Sequence, residues 1–144
     1  MKVRSDIVQA INQKKPEGLN KFDMPYKVLV VDDSTTMRRI VGQQLRTEAY
    51  EICAEAADGA QALELYKEHE PDIVTLDINM PNVSGLEALK SILAWNKNAR
   101  IVMLTSEGQK DTVIEAVSNG AKGYVVKPPN KAKLCAAVKK ALAD

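Results

Sequence analysis

Residues 27–39 read KVLVVDDSTTMRR. Four apolar residues, Val28, Leu29, Val30 and Val31, run directly into two carboxylates, Asp32 and Asp33. An unbroken run rich in β-branched residues marks a strand buried on both faces, as in a parallel sheet. Two adjacent carboxylates at its end repel each other, so a chain folded this way needs a compensating positive charge nearby. After them the period changes. Met37, Ile40, Val41 and Leu45 fall at helical spacing over residues 35–48, and Ser34 is placed to cap that helix. One buried strand followed by one helix is the unit from which the fold can be read.

The unit recurs. Strands are expected at 50–56, 72–76, 99–104 and 123–126, and helices at 60–70, 86–95, 110–120 and 131–143. The 50–56 stretch alternates and reads as a strand nearer a sheet edge. Pro71 ends the second helix and Gly120 stops the fourth. Each helix is long enough to cross back over the sheet. Right-handed crossovers then give five parallel strands with helices on both faces, an α/β doubly wound (βα)5 fold.

Residues 1–26 stand outside this rhythm, so the chain divides into an extension at 1–26 and a domain at 27–144. Within the extension, SDIVQAINQK has the spacing of a short helix, with Val3, Ile7, Ala10 and Ile11 on one face. KPEGLNKFDMP carries two prolines and a glycine and reads as a linker. A weakly docked tail and a partner-binding helix both fit this segment.

Composition narrows the class. The 144 residues suit one domain, and a net charge of +1 leaves no electrostatic footprint for nucleic acid. No apolar run approaches the roughly 20 residues of a membrane span, and Arg4-Ser5-Asp6 interrupts any signal-peptide core. Cys53 and Cys135 lack metal or redox spacing and read as reduced, buried or half-buried thiols of a cytosolic protein. His69, without a second histidine, reads as a surface residue.

Ligands of open parallel sheets bind beyond the carboxyl ends of the strands. There the chain places Asp32 and Asp33 after the first strand, Asp77 after the third, Thr105 and Ser106 after the fourth, and Lys127 after the fifth. Each residue alone is an ordinary cap or surface group. Together they make an acidic oxygen-donor cluster with one cation and one hydroxyl. Such donors suit Mg²⁺, with Mn²⁺ or Ca²⁺ as substitutes. A carboxylate can also accept a phosphoryl group covalently, provided positive charge is at hand for the equatorial oxygens.

VLVVDDSTTMRRIV, LDINMPNVSGLE and GYVVKP resemble the signatures of response-regulator receiver domains, most closely the CheY-type single-domain chemotaxis regulators. The resemblance runs over about residues 27–143. It implies the flavodoxin-like receiver fold with strand order 2-1-3-4-5. It matches Asp77 to the phosphoacceptor, Asp33 and Asp77 to direct metal ligands, and Asp32 to a ligand acting through water. The backbone carbonyl of Asn79 would complete the Mg²⁺ shell. Lys127 would bind the phosphoryl group and precede a cis proline, and Thr105 and Tyr124 would form the switch pair. Phosphorylation would remodel the face of helix 4, strand 5 and helix 5, about residues 107–143. The implied protein is a cytoplasmic monomer with no nucleic-acid or membrane role. A CheA-type histidine kinase phosphorylates it, a flagellar motor switch protein receives it, and a phosphatase is a further partner. It would catalyse its own phosphorylation and dephosphorylation without being a free-standing enzyme.

Departures from the family pattern are Ile78 in place of a tryptophan, Ser106 where alanine is frequent, and Pro129 in place of an aromatic. Asn79 and Glu107 occupy positions that tune hydrolysis in the family and match the chemotaxis type. Two other functions stay open: a phosphate relay or sink, and a single-domain regulator of a non-motility partner. A haloacid-dehalogenase-type phosphatase is disfavoured, because Asn79 stands where such enzymes need a second aspartate.

Overall fold

The computed structural model describes residues 15–143. The helix expected within residues 5–14 lies outside them. Five strands alternate with five helices: β1 (Lys27–Val31), α1 (Thr35–Arg46), β2 (Glu51–Ala56), α2 (Gly59–His69) and β3 (Ile73–Asp77), followed by α3 (Gly85–Trp95), β4 (Ile101–Thr105), α4 (Lys110–Ser118), β5 (Gly123–Val126) and α5 (Lys131–Ala143). The strands form one sheet in the order β2-β1-β3-β4-β5, and every neighbouring pair is parallel. This is the doubly wound (βα)5 receiver fold expected from the sequence.

The strand pattern explains the order. β1, β3 and β4 are mainly apolar and almost wholly buried, and they sit in the middle, where both faces are covered. β2, with its alternating sequence, takes one edge, as expected, and the short β5 takes the other. Alternate residues of each strand feed two cores. Leu29, Val31, Val74, Leu76 and Met103 pack with Ala62 and Tyr66 of α2 and Leu89 and Ile92 of α3. Val28, Val30, Ile73, Val102 and Leu104 pack on the other face with Val41 and Leu45 of α1 and Leu134 and Val138 of α5.

Helix starts follow the capping chemistry of the sequence. Ser34, Asp58 and Ser84 accept the backbone N–H groups of Met37, Gln61 and Glu87. Gly120, at φ +117°, turns the chain just after α4. β3 and β4 each run one residue beyond the expected ends, because Asp77 and Thr105 still have ladder partners in Leu104 and Val126. Those two side chains therefore stand on the rigid sheet rather than on loops.

Residues 15–26 carry the turns that their prolines and glycine suggest, and they are tied to the domain. Gly18 is buried, its N–H donates to Glu48 O at 2.6 Å, and its carbonyl accepts from Tyr26 N at 2.7 Å. The Tyr26 carbonyl then accepts from Glu51 N at the start of β2. The segment forms a strap across the α1–β2 turn, and the Tyr26 and Tyr50 rings lie 6.5 Å apart beneath it.

Gly85 marks the tightest approach of helix to sheet near the acidic residues. Its N–H donates to Ile78 O at 2.9 Å, and a Cβ at Gly85 would collide with the Asp77 carbonyl oxygen. Gly85→Ala is expected to destabilise the fold by about 3 kcal/mol, the upper end for overpacking. Urea unfolding, read at constant m-value, measures it. A loss below about 0.5 kcal/mol would mean that α3 withdraws freely from the sheet.

Candidate functional site

The sheet delivers four of the expected residues to one place. Asp32 and Asp33 follow β1, Asp77 closes β3, and Lys127 follows β5. Carboxylate oxygens of Asp32, Asp33 and Asp77 lie within 4.8 Å of one another. Asp32 and Asp77 are buried and Asp33 is exposed. The Lys127 ammonium lies 2.9 Å from Asp32 Oδ2 and 3.0 Å from Asp77 Oδ1, bridging the two buried acids. It supplies the counter-charge that adjacent carboxylates at a strand end require. The Lys127–Pro128 bond is cis, as the resemblance implies.

Backbone groups fix the carboxylates further. Asp32 Oδ1 accepts from Ser34 N at 2.9 Å, and Asp77 Oδ1 accepts from Asn79 N at 3.2 Å. Asp32 Oδ2 has its ion pair with Lys127 but no aligned hydrogen bond, although it is buried. A buried carboxylate oxygen left in that state, beside two more carboxylates and with no nitrogen or sulfur donor in the set, fits a hard divalent cation. Asp32, Asp33 and Asp77 are the residues that could hold it.

Burial raises the Asp77 pKa to about 6; the Lys127 ammonium pulls it down and the Asp32 charge pushes it up. Desolvation works against the Lys127 ammonium, but its bonds to Asp32 and Asp77 outweigh that and leave its pKa raised. At neutral pH the arrangement is therefore an ionised Asp77 held by a protonated lysine. Such a carboxylate is a competent nucleophile with a cation already placed beside it.

Thr105 and Tyr124 are not part of the ion-pair cluster. Thr105 is buried, and its hydroxyl has two acceptors within reach, Gln109 Oε1 at 3.0 Å and Ser106 O at 3.2 Å. Tyr124 lies two residues before Val126, the ladder partner of Thr105, and on the same face of the sheet. Its ring is 52% exposed. It borders a groove of about 700 Å³ shared with Thr105, Val113, Ile114, Val117 and Val126.

Two contributors escaped the sequence reading. Arg38 donates to the Asp32 carbonyl at 2.7 Å and pairs with Glu55 at 3.0 Å, which steadies the first carboxylate from behind. Gln109 holds the Thr105 hydroxyl. Arg38, on α1, gave no signal, because its partner Glu55 is on a separate element, β2. Gln109 had one in its spacing, four residues after Thr105 in TSEGQ. Other expectations agree with the structure: Cys53 is half-buried, Cys135 is buried and both are free thiols. Trp95 ends α3, as expected, 61% exposed, with the Lys67 ammonium 4.4 Å above its ring. Among the described residues, no helix is long and apolar enough to cross a membrane.

A parallel 2-1-3-4-5 sheet with an acidic cluster and a paired lysine at its carboxyl end is that of a receiver module. The chain belongs to the response regulator receiver domain family, whose pattern it matches over residues 28–139. It is 44% identical over 119 residues to a chemotaxis protein CheY of Bacillus subtilis, spanning 83% of this chain and 99% of that one. It is 42% identical over 126 residues to a CheY of Treponema pallidum, spanning 86% and 88%. Among solved structures it resembles the crystal structure of the CheX-CheY-BeF3-Mg²⁺ complex of Borrelia burgdorferi. There the TM-score is 0.83 at 39% identity, covering 87% of this chain and 96% of that one.

Two outcomes are expected from this geometry. The folded metal-free protein keeps a proton on Asp77 up to about pH 6, where an unfolded carboxyl releases it near 3.8. That stabilisation is complete below pH 4 and lost as pH rises through 6. Urea unfolding in chelator should therefore find Asp77→Asn gaining on wild type between pH 4 and pH 6, with a constant difference above; a flat difference throughout would contradict the burial argument. For Trp95, an 11-residue α3 places the ring about 15 Å along the helix from the site end. Its emission should change little on adding Mg²⁺, and a strong quench would refute that separation.

Proposed function

We propose that this chain is a two-component response regulator that is phosphorylated on Asp77, the switch residing in residues 27–144. The Lys127 ammonium seated between Asp32 and Asp77 carries this proposal. It leaves Asp77 ionised and fixed at the end of β3, with positive charge where a phosphoryl group would arrive.

In the proposed step an Asp77 carboxylate oxygen attacks phosphorus. The P–N bond of a phosphohistidine breaks, or the P–O bond of a small acyl phosphate. The leaving group departs with the bonding electrons and an acyl phosphate forms on Asp77. Asp32, Asp33, Asp77 and the backbone carbonyl of Asn79 would hold Mg²⁺, or Mn²⁺ in its place. The ion would neutralise charge on the transferring group. Lys127 then exchanges its bond to Asp77 for one to a phosphoryl oxygen. Thr105 turns its hydroxyl to the same group, and Tyr124 moves inward into the space that the hydroxyl leaves. The exposed Tyr124 ring and its groove support this as the resting state.

The curated relatives named CheY support a chemotaxis role, with a CheA-type histidine kinase upstream and a flagellar motor switch protein downstream. A phosphatase would be a further partner, and the likeness to a CheY crystallised with CheX supports contacts beyond a kinase. The protein would act in the cytoplasm as a monomer and turn over only its own phosphate.

With acetyl phosphate and Mg²⁺, intact-mass spectrometry is expected to find one added phosphate on wild type and none on Asp77→Asn. No modification from acetyl phosphate or from a CheA-type kinase would overturn the assignment. Binding to a motor switch protein should require that phosphate; binding that ignores it would leave a relay or sink as the role.

A further inference from the structure

α4 begins differently from the other helices. Ser34, Asp58, Ser84 and Asn130 each turn a side-chain oxygen onto a backbone N–H of the helix that follows. At the head of α4 the equivalent residue is Gln109, and its side chain makes no such bond. Gln109 Oε1 instead accepts two hydrogen bonds from the end of β4: Thr105 Oγ1 at 3.0 Å and Ser106 N at 3.0 Å. The Thr105 hydroxyl is buried, and its other acceptor is the carbonyl of the next residue at 3.2 Å.

We propose that Gln109 is a latch that holds the Thr105 hydroxyl in the resting state and must release it for the phosphorylated state to form. This rests on the proposed role of Thr105 as the switch hydroxyl. A hydroxyl has one proton to donate. Turning it to a phosphoryl oxygen on Asp77 means withdrawing it from Gln109. The Gln109 amide is then free to cap α4 or to face water. Because Gln109 immediately precedes α4 at its capping position, the hydroxyl's departure is transmitted directly to that helix. The intervening loop has room to respond: Gly108 sits at φ +86° with no atom within 4 Å of where a Cβ would stand. Gln109 is a positioning residue, acting through Thr105.

The test uses the full chain with beryllofluoride and Mg²⁺ as the phosphoryl analogue, titrated by ¹⁹F NMR. Gln109→Met removes the acceptor at similar length. It is expected to tighten beryllofluoride binding about fivefold, the worth of one neutral hydrogen bond. Gln109→Leu serves as a second acceptor-free variant. Gln109→Glu keeps the acceptor and should bind no more tightly than wild type. In a Thr105→Val background the gain from Gln109→Met should vanish, a non-additivity that a merely structural loop contact would not produce. Unchanged or weaker binding by both acceptor-free variants, or the same gain with Thr105→Val, overturns the latch while leaving the receiver assignment intact. A wild-type protein that fails to bind the analogue overturns both.

Discussion

The structure depends on one lysine between two acids. A parallel sheet collects the ends of its strands at one edge, and here that edge receives three carboxylates. Burying two of them without a counter-ion would cost several kcal/mol, or force a proton onto one of them. Lys127 arrives from the next strand but one and closes the gap at 2.9 and 3.0 Å. Its placement needs β4 to separate β3 from β5, so the sheet order and the charge balance are one constraint. Burial still leaves the Asp77 pKa raised to about 6, so Lys127 offsets only part of the desolvation of that carboxylate.

From this edge the fold leads outward along β4 and β5. Thr105 closes β4 beside the site, and Tyr124 stands on the neighbouring strand over a surface groove. β4 feeds the cores on both faces of the sheet, whereas β5 adds only Val125 to one of them and leaves Tyr124 and Val126 exposed. The sheet is the floor on which Thr105 and the β4–α4 loop stand.

Much of this was legible in the sequence, for a physical reason. Strand and helix periods differ, and parallel topology sends every strand's last residue to the same edge. Asp32, Asp33, Asp77 and Lys127 could therefore be brought together from their positions alone. Arg38 and Gln109 could not, because their partners depend on the direction a long side chain takes after folding. The ends of β3 and β4 were read one residue short, since a polar residue closing an apolar run looks like a loop until its ladder partner is known. The strap at residues 15–26 is held mainly by backbone hydrogen bonds, which leave no mark in composition or periodicity.

That strap also gives the molecule two poles. Lys15 lies beside Leu142 and Ala143 at the finishing end of α5, while the acids and Lys127 lie where α5 starts. Lys15 and Ala143 therefore share the pole opposite the acids and Lys127. A fluorophore attached at Lys15 or Ala143 would leave the acidic pole open to another protein.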